Sequence, residues 1–135
     1  MTPSYNQAKY IEQTLCSVLE QDYPRIEYLV VDGLSTDNSV EVIKKYSLES
    51  DSLLSDNQKQ ASGFQSRSID WWVSEKDSGQ GEAINKGLAR AKGEIVAWLN
   101  SDDAYVPGTI RTVVEHFRSH PQDNFIYGDA LAINE

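Results

Sequence analysis

Cysteine is nearly absent. Cys16 is the only one among 135 residues, so the chain can form neither an internal disulfide nor a cysteine-built metal cluster. Histidine is almost as scarce: His116 and His120 lie on one helical pattern with no further ligands at metal spacing, and no zinc site is assigned. No apolar run approaches the roughly 20 residues of a membrane span, and no basic-then-apolar leader opens the sequence. Positive charge is also in deficit, with 12 Lys and Arg against 21 Asp and Glu and a net charge of −9. That balance excludes a bare nucleic-acid backbone binder, and a smaller anion would need a cation or backbone donors beside it. What remains is long enough for one domain with a real core and short for two. The expected location is cytoplasmic, with membrane association left open.

The sequence then alternates between helical and extended patterns. Ala8–Gln21 predicts a helix on Ile11, Leu15, Val18 and Leu19, closed by Pro24. Ile26–Val31 predicts a strand that runs into the turn-rich Asp32–Asp37, and a helix capped by Asp37 or Asn38 continues to Tyr46. Ser47–Ser68 is rich in Ser, Gln, Asp and Asn without periodicity and reads as a long, flexible surface insertion. Order returns with a strand at Ile69–Ser74, a turn at Glu75–Gly81, and a helix at Glu82–Ala91 stopped by Gly93. A strand at Glu94–Leu99, a helix at Pro107–His120 and a strand starting at Phe125–Gly128 complete the reading. This order predicts an α/β fold with a mainly parallel sheet flanked by helices.

Asp32, Asp77, Asp102 and Asp103 all follow predicted strands. If those strands run parallel, the four acids gather along one sheet edge, where open α/β sheets bind ligands. The sharpest signal is Trp98-Leu99-Asn100-Ser101-Asp102-Asp103, an apolar run ending in two adjacent carboxylates. Like charges side by side are unfavourable unless solvent or a cation offsets them. Alone, the segment reads equally well as a metal site or as an ordinary turn before Pro107.

Several segments, taken in order, resemble family-2 glycosyltransferases of the GT-A, Rossmann-like nucleotide-binding fold. They are Thr2-Pro3-Ser4-Tyr5-Asn6, Ser17–Gln21, Val30–Asp37, Ser74–Gly81, Ala83–Leu88, Gly93-Glu94 and Leu99–Asp103. The resemblance implies transfer of a sugar from a nucleotide diphosphate sugar, most commonly a UDP-sugar, to a hydroxyl of a carbohydrate or lipid-linked acceptor. It implies a metal-dependent and inverting reaction of the kind used in polysaccharide biosynthesis. It also implies that Asp103 contacts a divalent metal, Mg²⁺ or Mn²⁺, through a DXD-like motif. Asp102 then faces the ribose or helps to position that metal. Hard oxygen ligands suit such an ion beside a diphosphate leaving group.

On the same basis Asp32 lies near base and ribose, although many relatives carry two adjacent acids where this chain has Asp-Gly. Asp77 contacts the nucleotide, Gly79 allows close backbone approach, and Pro3, Ser4, Tyr5 and Asn6 line the nucleotide cleft. Asn85 and Lys86 orient the loop or the donor. Turn, cap and packing roles are the structural alternatives for each of these residues. Trp71 and Trp72 fit core or surface packing better than sugar stacking, since they fall within a strand, and Trp98 is expected in the core for the same reason. Against the family pattern, residues 1–135 read as one partial domain truncated at both ends, with the catalytic base beyond Glu135. Two other functions compete. One is a non-catalytic nucleotide-sugar-binding or interaction module. The other is a nucleotidyltransferase, whose glycine- and basic-rich phosphate loop Thr2–Lys9 does not supply.

Overall fold

The computed structural model describes residues 1–47 and 68–132. The bulk of the expected insertion at 47–68 lies outside the described residues. Its two anchors are placed: Ser47 forms an isolated parallel bridge with Ile69, and the Ile69 N–H donates to the Tyr46 carbonyl at 2.8 Å.

The elements are β1 (Thr2–Ser4), α1 (Ile11–Leu19), β2 (Leu29–Asp32), α2 (Ser39–Lys45), β3 (Trp71–Ser74), α3 (Gln80–Leu88) and α4 (Thr109–Ser119). The strands form one parallel sheet in the order β1-β2-β3, with Thr2 opposite Val30 and Val30 opposite Trp72. Leu29-Val30-Val31 is buried on both faces, as expected for a central strand covered by helices on either side. The α/β expectation is met, with parallel strands joined by helical crossovers.

One face of the sheet carries the main core. Ile11, Leu15 and Val18 recur at helical spacing along α1 and pack with Tyr28, Val30, Ile43 and Ile69. Burying each of these large side chains contributes about 1.5–3 kcal/mol. Tyr28 is satisfied inside this core by a 2.8 Å bond between its hydroxyl and Thr2 Oγ1, and burial pushes its phenol above the usual tyrosine range. The opposite face is covered by α3, whose buried residues are the small Ala83 and Gly87. Gly87 leaves room there for the Met1 side chain: a Cβ would lie 1.6 Å from the Met1 Cε, which would have to move aside. The helix can therefore press close over β1 and β2.

Three expectations are corrected. The helix expected from Ala8 begins only at Ile11, because Gln7 closes a turn first, its carbonyl accepting the N–H groups of Tyr10 and Ile11 at 2.9 Å. Glu94–Leu99 forms no regular strand. Its only ladder-type bonds bracket Met1, whose amino group donates to the Ala97 carbonyl and whose carbonyl accepts from the Leu99 N–H, both at 2.9 Å. That is a single parallel pairing opposite Trp98, with nothing beside residues 94–96 among the described residues. Trp98 is accordingly 52% exposed rather than core. Phe125–Gly128 is likewise not a strand, and Phe125 and Tyr127 are exposed. Apolar β-type residues there find no neighbouring strand among the described residues, and an isolated strand is not stable.

Candidate functional site

Parallel strands deliver all their C-terminal loops to one edge, and a cleft of about 570 Å³ opens there. It is lined by residues from four loops: Pro3, Ser4 and Tyr5 after β1, Gly33 after β2, Asp77 and Gly79 after β3, and Asn100-Ser101-Asp102. Of the residues singled out from the sequence, Pro3, Ser4, Tyr5, Asp77, Gly79 and Asp102 line it, while Asn6, Asp32, Asn85 and Asp103 do not. Gln7, Lys76, Gln80 and Asn100 line it as well, and no property of those residues in the sequence alone distinguishes them.

The first two loops are stitched together. The Asn6 N–H donates to Ser35 Oγ and Asn6 Oδ1 accepts the Thr36 N–H, both at 2.8 Å. Asn6 adopts a left-handed backbone (φ 52°), which asparagine tolerates better than most residues. Asp37 Oδ2 accepts the Ala8 N–H at 3.0 Å, and the Gln7 N–H donates to Ser39 Oγ at 2.9 Å. Burial pulls the Asp37 carboxyl upward, but hydrogen bonds from Ser39 and from backbone amides outweigh it and hold the group below its usual value.

Asp32 is fully buried beneath the cleft. Its Oδ2 accepts the Ser35 N–H at 2.9 Å and the Ser74 hydroxyl at 2.7 Å, while Oδ1 accepts the Ser35 hydroxyl. This carboxylate joins the end of β2 to its own loop and to the end of β3. The loop it shapes presents Gly33, whose N–H donates to the Ser4 carbonyl at 2.8 Å. A Cβ on residue 33 would lie 2.9 Å from Asp77 Oδ2. Glycine at this position is what admits the Asp77 carboxylate over the end of β2.

Asp77 is held from the other side by the Gly79 N–H, which donates to Oδ1 at 2.9 Å. Gly79 sits at φ 126°, a conformation that disfavours every side chain. Next to it, Ser78 and Glu82 clasp the start of α3: the Ser78 N–H and hydroxyl donate to Glu82 Oε2 at 2.9 and 2.7 Å. The Ser78 hydroxyl and amide, with Lys86, push the Glu82 carboxyl down to about 2. Lys86 itself is committed to Glu75 at 3.0 Å and Glu82 at 3.2 Å.

The acidic segment is a turn. The Asp103 N–H donates to the Asn100 carbonyl at 3.1 Å, and Asn100 Nδ2 donates to Asp103 Oδ2 at 3.2 Å. Thr14 Oγ1 ties the Asp103 carbonyl to α1 at 2.7 Å, and Gln80 Nε2 ties Asn100 Oδ1 to α3 at the same distance. Asp102 is thereby exposed on the cleft, while the Asp103 carboxylate is braced by Asn100 outside its lining.

Two carboxylates, Asp77 and Asp102, face a single ammonium, Lys76, across the lining. A diphosphate entering this cleft therefore meets net negative charge and needs a cation to offset it. Among the described residues no three His, Cys, Asp or Glu side chains converge as a protein-only metal cage. Mg²⁺ does not require one: one or two carboxylates, with waters and substrate phosphates, satisfy its octahedron. The donor set at Asp102 fits that demand.

Outside the cleft, His116 Nε2 pairs with Asp123 at 2.8 Å and its ring stacks on His120. Trp71 lies under the Arg90 guanidinium at 4.4 Å, and Trp72 packs on the core. Among the described residues no helix is long and apolar enough to cross a membrane.

Comparison with known proteins gives a consistent result. The profile of Glycosyl transferase family 2 matches residues 1–128. Similar relatives include TuaG of Bacillus subtilis, a glycosyltransferase assigned to teichuronic acid biosynthesis. It is 36% identical over 109 residues, covering 78% of this chain and 35% of TuaG. A glycosyltransferase of Nostoc sp. is 33% identical over 116 residues, covering 86% of this chain and 31% of the relative. Among solved structures, residues 1–349 of Staphylococcus aureus TarS in complex with UDP superpose with a TM-score of 0.69 at 27% identity, covering 90% of this chain and 32% of that one. The TarS complex with UDP-GlcNAc gives the same TM-score and identity, covering 89% of this chain and 30% of that one. The chain thus spans about a third of the length of these relatives.

Proposed function

Because this chain belongs to Glycosyl transferase family 2, we propose that its cleft holds the nucleotide diphosphate of a sugar donor, in the donor-binding part of a glycosyltransferase. The observation that carries the reading is the convergence of three strand-end loops and the Asn100–Asp102 turn on one cleft, with Asp77, Lys76 and Asp102 around it. UDP is the favoured nucleotide, since the similar TarS structures are complexes with UDP and UDP-GlcNAc.

Each group in the cleft has a chemical task. Tyr5, 60% exposed at the mouth, offers a ring face to the base. Asp77 presents Oδ2 as an acceptor for a base N–H or a ribose hydroxyl. Asp32 and Asn6 act one step behind, by fixing the loop that carries Gly33. Gly79 brings main chain close to the ligand, and Asn85, on α3 away from the lining, supports that helix. Asp102 would hold Mg²⁺ or Mn²⁺ against the diphosphate, with Asp103 as the second acid of the turn. The ion would neutralise charge on the departing nucleotide.

Transfer to a carbohydrate or lipid-linked hydroxyl also requires a base for the acceptor proton. In an inverting reaction it stands on the face opposite the leaving group, and no described cleft residue is assigned that role. The test is calorimetric titration of UDP, GDP and TDP, with and without Mn²⁺, into the chain and into Asp102→Ala and Asp103→Ala. Metal-dependent UDP binding that Asp102→Ala abolishes is the expected result. Equal binding by all three proteins, or binding by none, would refute the assignment.

A further inference from the structure

The acidic turn runs into a stretch of irregular chain. Residues 103–106 belong to no helix or strand, so their main-chain groups need partners other than a ladder. Side chains of α1 and of the turn that follows it supply them. Thr14 and Ser17 on α1, with Gln21 just past its end, recur at i, i+3 and i+7. They form a polar stripe beside the apolar stripe of Ile11, Leu15 and Val18. Thr14 is 1% exposed and Gln21 3%, so neither is a surface residue.

Each member of the stripe grips a different point of the chain. Thr14 Oγ1 donates to the Asp103 carbonyl at 2.7 Å. Ser17 Oγ accepts the Tyr105 N–H at 3.1 Å and donates to the Thr14 carbonyl at 2.8 Å. Gln21 Nε2 donates to the Val106 carbonyl at 3.0 Å, and Gln21 Oε1 accepts the Ile110 N–H at 3.1 Å. Both ends of the Gln21 amide are used, which fixes its orientation. The stripe thus follows the chain from the acidic turn to the first turn of α4.

Of these bonds, only the one from Thr14 reaches the acidic pair. The carbonyl it holds belongs to the peptide between Asp103 and Ala104, directly after the two carboxylates. Ser17 takes hold two residues later, at Tyr105, which also packs against the core. On the other side Leu99 packs against the core, and Asn100 is tied to α3 through Gln80. Without the Thr14 bond the turn keeps its internal Asn100–Asp103 bonds, but the Asp103–Ala104 peptide can swing, and the carboxylates swing with it. An ion such as Mg²⁺ demands near-ideal octahedral geometry at about 2.1 Å, so its ligands tolerate little displacement.

We propose that Thr14 is a positioning residue for the metal-binding turn: it sets the angle at which Asp102 and Asp103 meet the cation on the donor diphosphate. Ser17 and Gln21, on the same stripe, hold the chain that leads into α4 and act on stability alone. The inference rests on the donor and metal reading of the cleft, and adds to it a buried residue of α1 that does not line the cleft.

The experiment measures UDP affinity by calorimetry with Mn²⁺ and with EDTA, and takes the ratio as the metal enhancement. Thr14→Val replaces the hydroxyl by a methyl and Thr14→Ala removes it. In both, the enhancement should fall about tenfold, while affinity in EDTA stays within about twofold. Thr14→Ser keeps the donor and should keep the enhancement. Gln21→Leu should lower the urea midpoint and yet keep the enhancement. Full enhancement in Thr14→Val and Thr14→Ala, an equal loss in Gln21→Leu, or an equal loss in Thr14→Ser would overturn this inference and leave the donor reading intact. No UDP binding by the unaltered chain, or binding that Mn²⁺ leaves unchanged, would overturn that reading and this inference with it.

Discussion

Replacing Gly33 by alanine probes the joint between the second and third loops. The added Cβ would lie 2.9 Å from Asp77 Oδ2 and 3.3 Å from its Cγ, where ordinary contact begins at 3.4 Å. The carboxylate must retreat by about 0.5 Å or turn to another rotamer. Turning releases the 2.9 Å bond from the Gly79 N–H. A hydrogen bond to a charged group contributes about 1.5–3 kcal/mol, but Asp77 is half-buried and water replaces much of it, so the stability loss should be about 1 kcal/mol. The ligand loses more, because Asp77 no longer presents Oδ2 where a base or ribose would meet it. UDP affinity should fall about tenfold, equivalent to about 1.4 kcal/mol. The decisive assay is a double-mutant cycle of urea stability and UDP titration on Gly33→Ala, Asp77→Ala and the pair. With Asp77 already truncated there is nothing to displace, and Gly33→Ala should then be neutral within about 0.5 kcal/mol. Equal effects in both backgrounds would refute the reasoning, since they would place the damage in the β2 backbone rather than in this contact.

Other outcomes follow from the same geometry. Asp32→Asn puts an amide NH₂ among the donors of Ser35 and Ser74, and should destabilise the chain by about 2–4 kcal/mol in urea denaturation. Ser74→Ala should cost far less, because one bond of the set is lost and no donor is stranded. For Met1, the folded pKa of about 6 lies below the reference value of 8.0. Protonation therefore favours the unfolded chain: stability is complete above pH 8 and falls as pH drops toward 6. The two-unit shift corresponds to at most about 2.7 kcal/mol. Acetylating the amine should flatten that part of the urea midpoint-against-pH curve, and an unchanged slope would contradict the burial of this group. Gln80→Ala frees Asn100 from α3 and should weaken Mn²⁺-dependent UDP binding several-fold, while changing the unfolding free energy in urea by less than about 0.5 kcal/mol.

The sequence carries the architecture through periodicity and the site through position. Asp32 ends β2 and Asp77 follows β3 by three residues, as the apolar runs before them imply, and parallel pairing brings their loops to one edge. Pairing is also where the reading reaches its limit. Glu94–Leu99 and Phe125–Gly128 have strand-like composition, yet a strand is a relation between two segments, and neither has a continuous neighbour among the described residues. Trp98 surfaces for the same reason. Orientation is a second limit. Nothing local reveals that the Asp32 carboxylate turns inward to Ser74, which lies 42 residues away. Nor does it reveal that Lys86 also reaches Glu75, beyond its i,i+4 partner Glu82, or that Gly33 is small on account of Asp77. The left-handed Asn6 and the glycine at 79 are more readable, because those residue types tolerate the backbone they are given.

The stitching of the first two loops has a thermodynamic consequence. Asn6, Gln7 and Ala8 are bonded to Ser35, Thr36, Asp37 and Ser39, so the two segments share one set of backbone angles and lose their freedom together during folding. A ligand arriving at that side finds the entropy already spent. The acidic turn is different: towards α3 it is moored, among the described residues, by the exposed Gln80–Asn100 bond. On its other side the turn is held to α1 through the Asp103 carbonyl and Thr14 Oγ1, so Gln80→Ala loosens only the edge nearer α3.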